Sequence, residues 1–140
     1  MSTKTRSFIY ALLILIALGF RLFIAIRLAN DDADDGRIYS QIAHNILEQH
    51  VYSIENQAPY TPTLIRLPGY PLFVAAIYSI FGHGNNTAVR VAQAFLDTFT
   101  CVLITWGAFE WARKHRAAMI ALALAAVCPF TAIYIATILT

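Results

Sequence analysis

The sequence predicts an all-α membrane protein, in which transmembrane helices flank one long external loop that carries membrane-surface helices. Hydrophobic residues make up 59% of the chain and charged residues only 13%, whereas soluble domains carry roughly 25% charged residues. Three apolar segments are long enough to cross a bilayer. Lys4 and Arg6 precede the first segment and a basic cluster, residues 113–116, separates the last two, and the positive-inside rule places both groups on the cytoplasmic side.

Helix one is predicted over residues 8–29, which exceed the roughly 20 apolar residues that a spanning helix needs. Lys4 and Arg6 precede it and place the N-terminus in the cytoplasm. We expect an uncleaved helix rather than a signal peptide, because the apolar run continues past Arg21 and Arg27 interrupts a cleavage site. Both arginines are expected to extend to the outer interface; the alternative is that one of them contacts a lipid phosphate.

The external loop is predicted over residues 30–87, and it begins with four of the eight acidic residues of the chain. Asp34 or Asp35 is suited to capping the helix that follows. Capping can explain one of the four acidic residues but not all of them. The simplest explanation for the others is that they are solvated in a polar loop. Residues 35–50 have apolar side chains at intervals of four and polar ones between them, so they predict an amphipathic helix on the membrane surface.

The second half of the loop is organised by prolines. Four of them between residues 59 and 71 forbid a continuous helix, so residues 51–67 are predicted to be irregular. Arg66 stands beside a tight turn at Gly69 and is suited to binding a phosphate or a carboxylate. The alternative is a surface arginine without a partner. Residues 71–82 are apolar but too short to span, so they predict a second surface helix.

Two further spanning helices are predicted, helix two over residues 88–111 and helix three over residues 117–139. The basic loop between them, residues 112–116, is placed in the cytoplasm by the positive-inside rule. That orientation agrees with a first loop that does not cross the membrane. Pro129 is expected to kink helix three.

Helix two carries a polar stripe made of Arg90, Gln93, Asp97 and Thr100, which lie on one helical face. A carboxylate inside a membrane segment must be paired or face a polar cavity. Arg90 and Asp97 are two turns apart, so we expect Gln93 or water to mediate between them. The stripe is either a polar seam between helices or the lining of a cavity.

Other classes of site have no support in the sequence. No basic stretch is interleaved with stackable aromatics, which argues against nucleic-acid binding. Cys101 and Cys128 lie in apolar segments and are interpreted as small buried hydrophobes. The four histidines have no metal-ligand spacing, and His44 with Glu48 is interpreted as a solvated helix face. No nucleotide-binding loop or nucleophile elbow is present.

Two groups of residues carry a family resemblance. Asp35, Tyr39 and Ala43 recur at intervals of four, and Arg66 is followed by Pro68-Gly69-Tyr70-Pro71 and an apolar run that closes at Phe81-Gly82. This pattern resembles the start of bacterial membrane glycosyltransferases with the GT-C fold, of the dolichyl-phosphate-mannose protein mannosyltransferase and aminoarabinose transferase type. The resemblance extends from helix one to Thr140, and its proline-glycine-tyrosine-proline segment is the most specific part.

The resemblance implies transfer of a sugar from a polyprenyl-phosphate donor to a lipid, glycan or protein acceptor, on the outer face of a bacterial plasma membrane. The catalytic aspartate of the family falls on Asp35, with Asp34 as the nearest rival. Arg66 would stabilise the leaving phosphate. Tyr39, Tyr70 and Asp97 are further substrate-binding candidates.

One departure from the family concerns length. Family members have more membrane helices and a second acidic position after the third helix, so we expect the 140 residues to be the N-terminal part of a larger enzyme and to be inactive alone. No metal ligand is assigned, and a divalent metal is left open as a cofactor. The rival interpretations are a non-catalytic membrane module and a fragment of a lipid transporter or flippase.

Overall fold

The computed structural model describes residues 2–28 and 34–136, and these residues form helices and connections without strands. The helices are α1 (Thr3–Arg27), α2 (Asp34–Gln49), α3 (Gly69–Phe81), α4 (Asn86–Ala112), α5 (His115–Ala126) and α6 (Pro129–Ile133). The expected all-helical class is therefore confirmed for this part of the chain.

Three helical segments in the described ranges are long and apolar enough to cross a membrane: Thr3–Arg27, Asn86–Ala112 and His115–Ile133. Many of their large apolar side chains are exposed, among them Phe8, Leu15, Phe99 and Leu124. Exposed apolar surface of this kind is suited to contact with lipid. The sidedness of the helices and the external position of residues 30–87 remain predictions.

The third apolar segment is not one continuous helix. The α5 helix ends at Ala126, and α6 begins at Pro129. Proline has no N–H to donate to the carbonyl four residues earlier, here that of Ala125, and its ring disfavours a continuing helix. The expected kink at Pro129 is thus a complete break. The carbonyl of Ala125 accepts from Cys128 N at 3.4 Å, and the carbonyls of Ala125 and Ala126 can accept further donors.

Arg21 supplies those donors. Its Nη2 donates to the carbonyl of Ala125 at 3.1 Å, and its Nη1 donates to the carbonyl of Ala126 at 3.0 Å. The Nε donates to Asp97 Oδ2 at 2.5 Å. Nη2 also lies 3.1 Å from the sulfur of Cys101. A single guanidinium therefore joins α1 to α4 and to the break between α5 and α6.

The expectation that Arg21 extends to the membrane interface is wrong. Its side chain is completely buried, with a relative exposure of 0%. A charged group in an apolar interior requires an opposite charge and a full set of hydrogen bonds. Asp97 and the carbonyls released at Pro129 supply both, so burial is tolerated. Arg27, one and a half turns later on α1, is exposed.

The polar stripe of α4 makes separate contacts rather than one internal bridge. Arg90 Nε donates to the carbonyl of Ala25 at 3.1 Å. Gln93 Nε2 donates to the hydroxyl of Tyr70 at 2.9 Å, and Asp97 binds Arg21. Gln93 therefore does not mediate between Arg90 and Asp97, which was one of the two expected arrangements. Arg90 and Asp97 instead fix α4 to α1, Gln93 fixes it to α3, and Thr100 bonds to the carbonyl of Leu96 within α4.

The α2 and α3 helices, together with Val89 of α4, form a second packed unit around buried apolar residues: Tyr39, Ala43, Val74, Ala75, Tyr78 and Val89. Tyr39 meets Tyr70 near the N-terminal ends, and Glu48 meets His83 beyond the C-terminal end of α3. The two helices therefore run in the same direction. The 13 residues of α3 span about 20 Å, less than a bilayer core.

We expect replacement of Arg21 by methionine to destabilise the helical bundle by about 3–5 kcal/mol, because Asp97 is left without a compensating charge. The measurement is thermal unfolding of the purified protein in detergent micelles. Arg27→Met is the matched control, since Arg27 is exposed on the same helix, and it should unfold near the wild-type temperature.

The double variant Arg21→Met/Asp97→Asn should recover a large part of the lost stability, because no unpaired charge remains. Equal unfolding temperatures for Arg21→Met and Arg27→Met would contradict the role of the buried guanidinium.

Candidate functional site

The candidate site begins with an ion pair between Asp35 and Arg66, 31 residues apart in sequence. Arg66 Nη2 donates to Asp35 Oδ1. Asp35 lies in the first turn of α2, where a carboxylate interacts favourably with the positive end of the helix dipole. The side chains are partly exposed, 31% for Arg66 and 39% for Asp35, so both are accessible to a ligand.

Aromatic side chains continue the site from Arg66 towards the helices. The guanidinium carbon of Arg66 lies 5.7 Å from the centre of the Tyr39 ring, within the range of a cation–π interaction. The Tyr39 ring meets the Tyr70 ring edge-on, with 4.8 Å between centroids and 78° between planes. Tyr39 is only 6% exposed, so packing holds it under the arginine.

Tyr70 lines a groove of about 530 Å³ between α3, α4 and the segment after α6. The lining residues are Gly69, Tyr70, Phe73, Gln93, Leu96, Asp97, Thr100, Tyr134 and Ile135. Four of these residues follow one face of α4, so the groove extends for about 10 Å along that helix. Its polar groups lie near Tyr70 and along the α4 stripe, and the remaining lining is apolar.

The Tyr70 hydroxyl is available as a donor within this groove. It accepts a hydrogen bond from Gln93 Nε2 at 2.9 Å, which leaves its own O–H free to orient towards a ligand. Burial, together with the neighbouring Tyr39 and Tyr78, raises the pKa of the Tyr70 phenol well above its ordinary value of 10.0. Tyr70 is therefore neutral at physiological pH and keeps its proton.

Two buried polar atoms of the site have no hydrogen-bond partner among the described residues. They are Arg66 Nε, a donor, and Gln93 Oε1, an acceptor. Buried polar atoms are nearly always satisfied, so an unsatisfied pair on both sides of Tyr70 is informative. A ligand with an anionic oxygen and a hydroxyl group has the chemistry that would satisfy both.

The connection between α2 and α3, residues 50–68, positions Arg66. Tyr52 is its main internal contact: the phenol donates to the carbonyl of Arg66 at 2.9 Å, and its own carbonyl accepts from Thr63 N at 2.9 Å. Burial raises the pKa of the Tyr52 phenol above 10.0, which keeps it protonated as a donor. These two hydrogen bonds hold residues 63–66 against Tyr52 and so place Arg66 opposite Asp35.

A second anchor fixes the connection to α2. Asn45, only 1% exposed, donates from Nδ2 to the carbonyls of Ser53 and Glu55, at 2.8 and 2.9 Å. The Glu55 carboxylate in turn accepts from Ser53 Oγ at 2.6 Å and from the backbone and hydroxyl of Thr61. These hydrogen bonds hold the pKa of Glu55 below its ordinary value of 4.5.

The sequence-predicted candidates are only partly brought together. Asp35, Arg66, Tyr39 and Tyr70 form one continuous series of contacts. Asp97 lines the same groove, but its charge is compensated by Arg21. The side chain of Asp34, like residues 29–33, lies outside the described part of the structure. The alternative that Arg66 is a surface arginine without a partner is wrong.

Several residues that build the site were not identified from the sequence. From the sequence alone, Arg21 is assigned to the interface and Asn45 is counted among the polar-face residues of the amphipathic helix, although Asn45 is buried. Tyr52 and Glu55 are not singled out. A polar Asn45 on the apolar side of an amphipathic helix is a usable signal for such an anchor.

His83 is also missed. It joins His44 and Glu48 in the folded chain, so the interpretation of His44 and Glu48 as a merely solvated face is incomplete. His83 is 35 residues from Glu48 in sequence, and no local sequence pattern indicates that the two side chains meet.

Comparison with protein-family models, with curated proteins and with solved structures found no match. The family resemblance therefore rests on the residues quoted for it.

We expect the order of residues 53–61 to depend on pH through Glu55. Its pKa is lowered in the folded chain, so the stabilisation is fully present above the unfolded value of 4.5 and is lost as the pH falls through the lower folded value. The measurement is the protection factor of the Thr61 amide, corrected for intrinsic exchange, across that acidic range.

The Glu55→Gln variant should have weak protection at Thr61 at neutral pH and should lose the acid dependence. Gln57, which no Glu55 contact involves, gives the control variant Gln57→Ala. A pH profile of Glu55→Gln equal to that of the wild type would exclude this carboxylate as the anchor.

Proposed function

We propose that the protein acts in a membrane glycosyltransferase that moves a sugar from a polyprenyl-phosphate donor to a hydroxyl acceptor. The observation that carries the proposal is the Asp35–Arg66 pair, joined through Tyr39 and Tyr70 to a groove along α4 that has both apolar and polar lining residues. A polyprenyl-phosphate sugar has the matching order of groups: a sugar, an anionic phosphate and a long apolar chain.

Arg66 is the proposed phosphate-binding residue. One Nη atom holds Asp35, whereas Nε is buried without a partner among the described residues. Guanidinium groups bind phosphate oxygens through parallel N–H donors. Arg66 can therefore hold the phosphate while it still orients Asp35, and the neutral Tyr70 phenol adds a second donor.

The apolar chain would lie along α4. Leu96 and Phe73 line the groove beyond Tyr70, and Leu96 is 54% exposed on a helix long enough to cross a membrane. A polyprenyl chain in lipid would reach this surface without leaving the bilayer.

Asp35 is the proposed general base. It would take the proton of the acceptor hydroxyl as the acceptor oxygen bonds to the anomeric carbon. The bond between that carbon and the phosphate oxygen breaks, and its electron pair remains on the polyprenyl phosphate. The leaving group gains a negative charge, which Arg66 is placed to stabilise. In this proposal the site faces the outer side of a bacterial plasma membrane, with the N-terminus in the cytoplasm.

A second candidate is a non-catalytic module or transporter part that binds the same lipid. It is favoured by the state of Asp35, whose Oδ1 is already engaged by Arg66. In that case the aspartate positions the arginine, and the groove binds lipid without transfer. Binding and transfer must therefore be measured separately.

We expect Arg66→Ala to weaken binding of a polyprenyl phosphate by at least about tenfold, since charge-assisted hydrogen bonds contribute about 1.5–3 kcal/mol. The measurement is native mass spectrometry of the protein titrated with the lipid in detergent. Arg116→Ala is the control, because Arg116 is an exposed arginine outside the site. Equal affinities for the two variants would contradict the phosphate-binding role.

We expect Asp35→Asn to lower sugar transfer by about a hundredfold or more while polyprenyl-phosphate binding changes little, because only the proton acceptor is lost. Transfer is measured in membranes that contain the protein, from a labelled polyprenyl-phosphate sugar. Glu110→Gln, at an exposed acid paired with Arg113, should retain activity. Wild-type transfer by Asp35→Asn would exclude Asp35 as the base, and lipid binding without any transfer would favour the second candidate.

A further inference from the structure

We propose that His44, Glu48 and His83 form a binding site for a divalent transition-metal ion, with Zn²⁺ as the ion that best fits the ligands. The site lies at the opposite end of the α2–α3 pair from Asp35 and Arg66. It is independent of the proposed transfer reaction, and its test does not require that activity.

The three side chains converge around the Glu48 carboxylate. His44 Nε2 lies 3.0 Å from Glu48 Oε2, and His83 Nδ1 lies 3.1 Å from Glu48 Oε1. One ligand atom from each residue lies within 4.8 Å of the other two. In a tetrahedral zinc site with bonds of about 2.0–2.1 Å, donor atoms stand about 3.4 Å apart. Small side-chain rotations would therefore bring the three donor atoms to the spacing of a zinc site.

The backbone holds the ligands in register. His44 and Glu48 are four residues apart on α2, so they share one face of the helix. His83 follows α3 between Gly82 and Gly84, which have φ angles of 101° and 73°. Left-handed backbone at both glycines makes the sharp turn that returns His83 to α2. A residue with a β-carbon at either position would strain this turn.

The ligand types are those that zinc prefers. Two imidazoles and one carboxylate are a common set in sites that keep a fourth position for water or a substrate. His44 also lines a cleft of about 640 Å³, as does Gly84, the residue after His83. A metal ion held by the three side chains would therefore lie at the border of this cleft, with space for a further ligand.

Surface ion pairing is the competing explanation of the cluster. The three side chains are 40–48% exposed, and exposed pairs contribute little to stability. A single carboxylate between two imidazoles attracts them strongly only when the rings are protonated, whereas a metal ion binds the neutral rings. Titration with a metal ion therefore distinguishes the two explanations.

The test is isothermal titration of untagged, chelator-treated protein in detergent micelles with Zn²⁺ alone. We expect saturation at about one ion per chain. His83→Ala and Glu48→Gln should each weaken binding by at least about tenfold. His50→Ala is the control, because His50 is an exposed histidine at the end of the same helix. Circular dichroism checks that the variants keep the wild-type helix content.

A second measurement needs no variant. Diethylpyrocarbonate modification of the wild-type protein, mapped by mass spectrometry, should be slowed by Zn²⁺ at His44 and His83 but not at His50. Absence of saturable binding, equal affinity in His83→Ala and His50→Ala, or protection of all three histidines alike would overturn the proposed site.

Discussion

The buried contact between Arg21 and Asp97 is the interaction on which the arrangement of the helices depends. One guanidinium satisfies a carboxylate of α4 and two carbonyls at the proline break after α5, so three apolar segments meet at one polar point. Apolar surfaces alone determine helix contacts only loosely in lipid, where packing against another helix and packing against lipid chains are similar. A buried charge with specific partners fixes both the rotation and the depth of α1 and α4. The face of α4 that carries Gln93 and Asp97 is thereby directed into the groove.

A second constraint acts on the part of the chain that has no regular structure. Residues 50–68 lack a hydrophobic core of their own, and they are held by side-chain hydrogen bonds to carbonyl oxygens. Asn45 fixes the near end to α2, and Tyr52 fixes the far end at Arg66. The charged pair of Asp35 and Arg66 therefore depends on neutral anchors that are distant from it in sequence. Sites on loops often have this arrangement. Here the hydrogen bonds of Asn45 and Tyr52 fix the loop, and the exposed side chain of Arg66 remains accessible.

Hydropathy and helical periodicity predicted the helical class, the three apolar segments and the amphipathic character of residues 35–50. The restriction that proline places on the backbone predicted a kink at Pro129, where the structure has a complete break. Partners across space were less predictable: Asp97 was correctly expected to need a compensating group, but Arg90 and Gln93 were considered because they share its helix. The partner, Arg21, is 76 residues away, and only the relative rotation of two helices determines that contact. The same limit applies to His83, whereas Arg66 was found because its turn carries a recognisable local pattern.

The compensation of Asp97 by Arg21 also determines how the groove presents itself to an amphiphile. Because Arg21 pairs with Asp97, the α4 side of the groove carries no net charge. Beyond Tyr70, Arg66 pairs with Asp35, and its Nε is a donor without a partner among the described residues. An elongated molecule with one anionic terminus would thus find an unused hydrogen-bond donor at the Arg66 end and no net charge along α4. Its entry would have a defined polarity, head towards the arginine and tail along α4, before any contact with a specific headgroup is made.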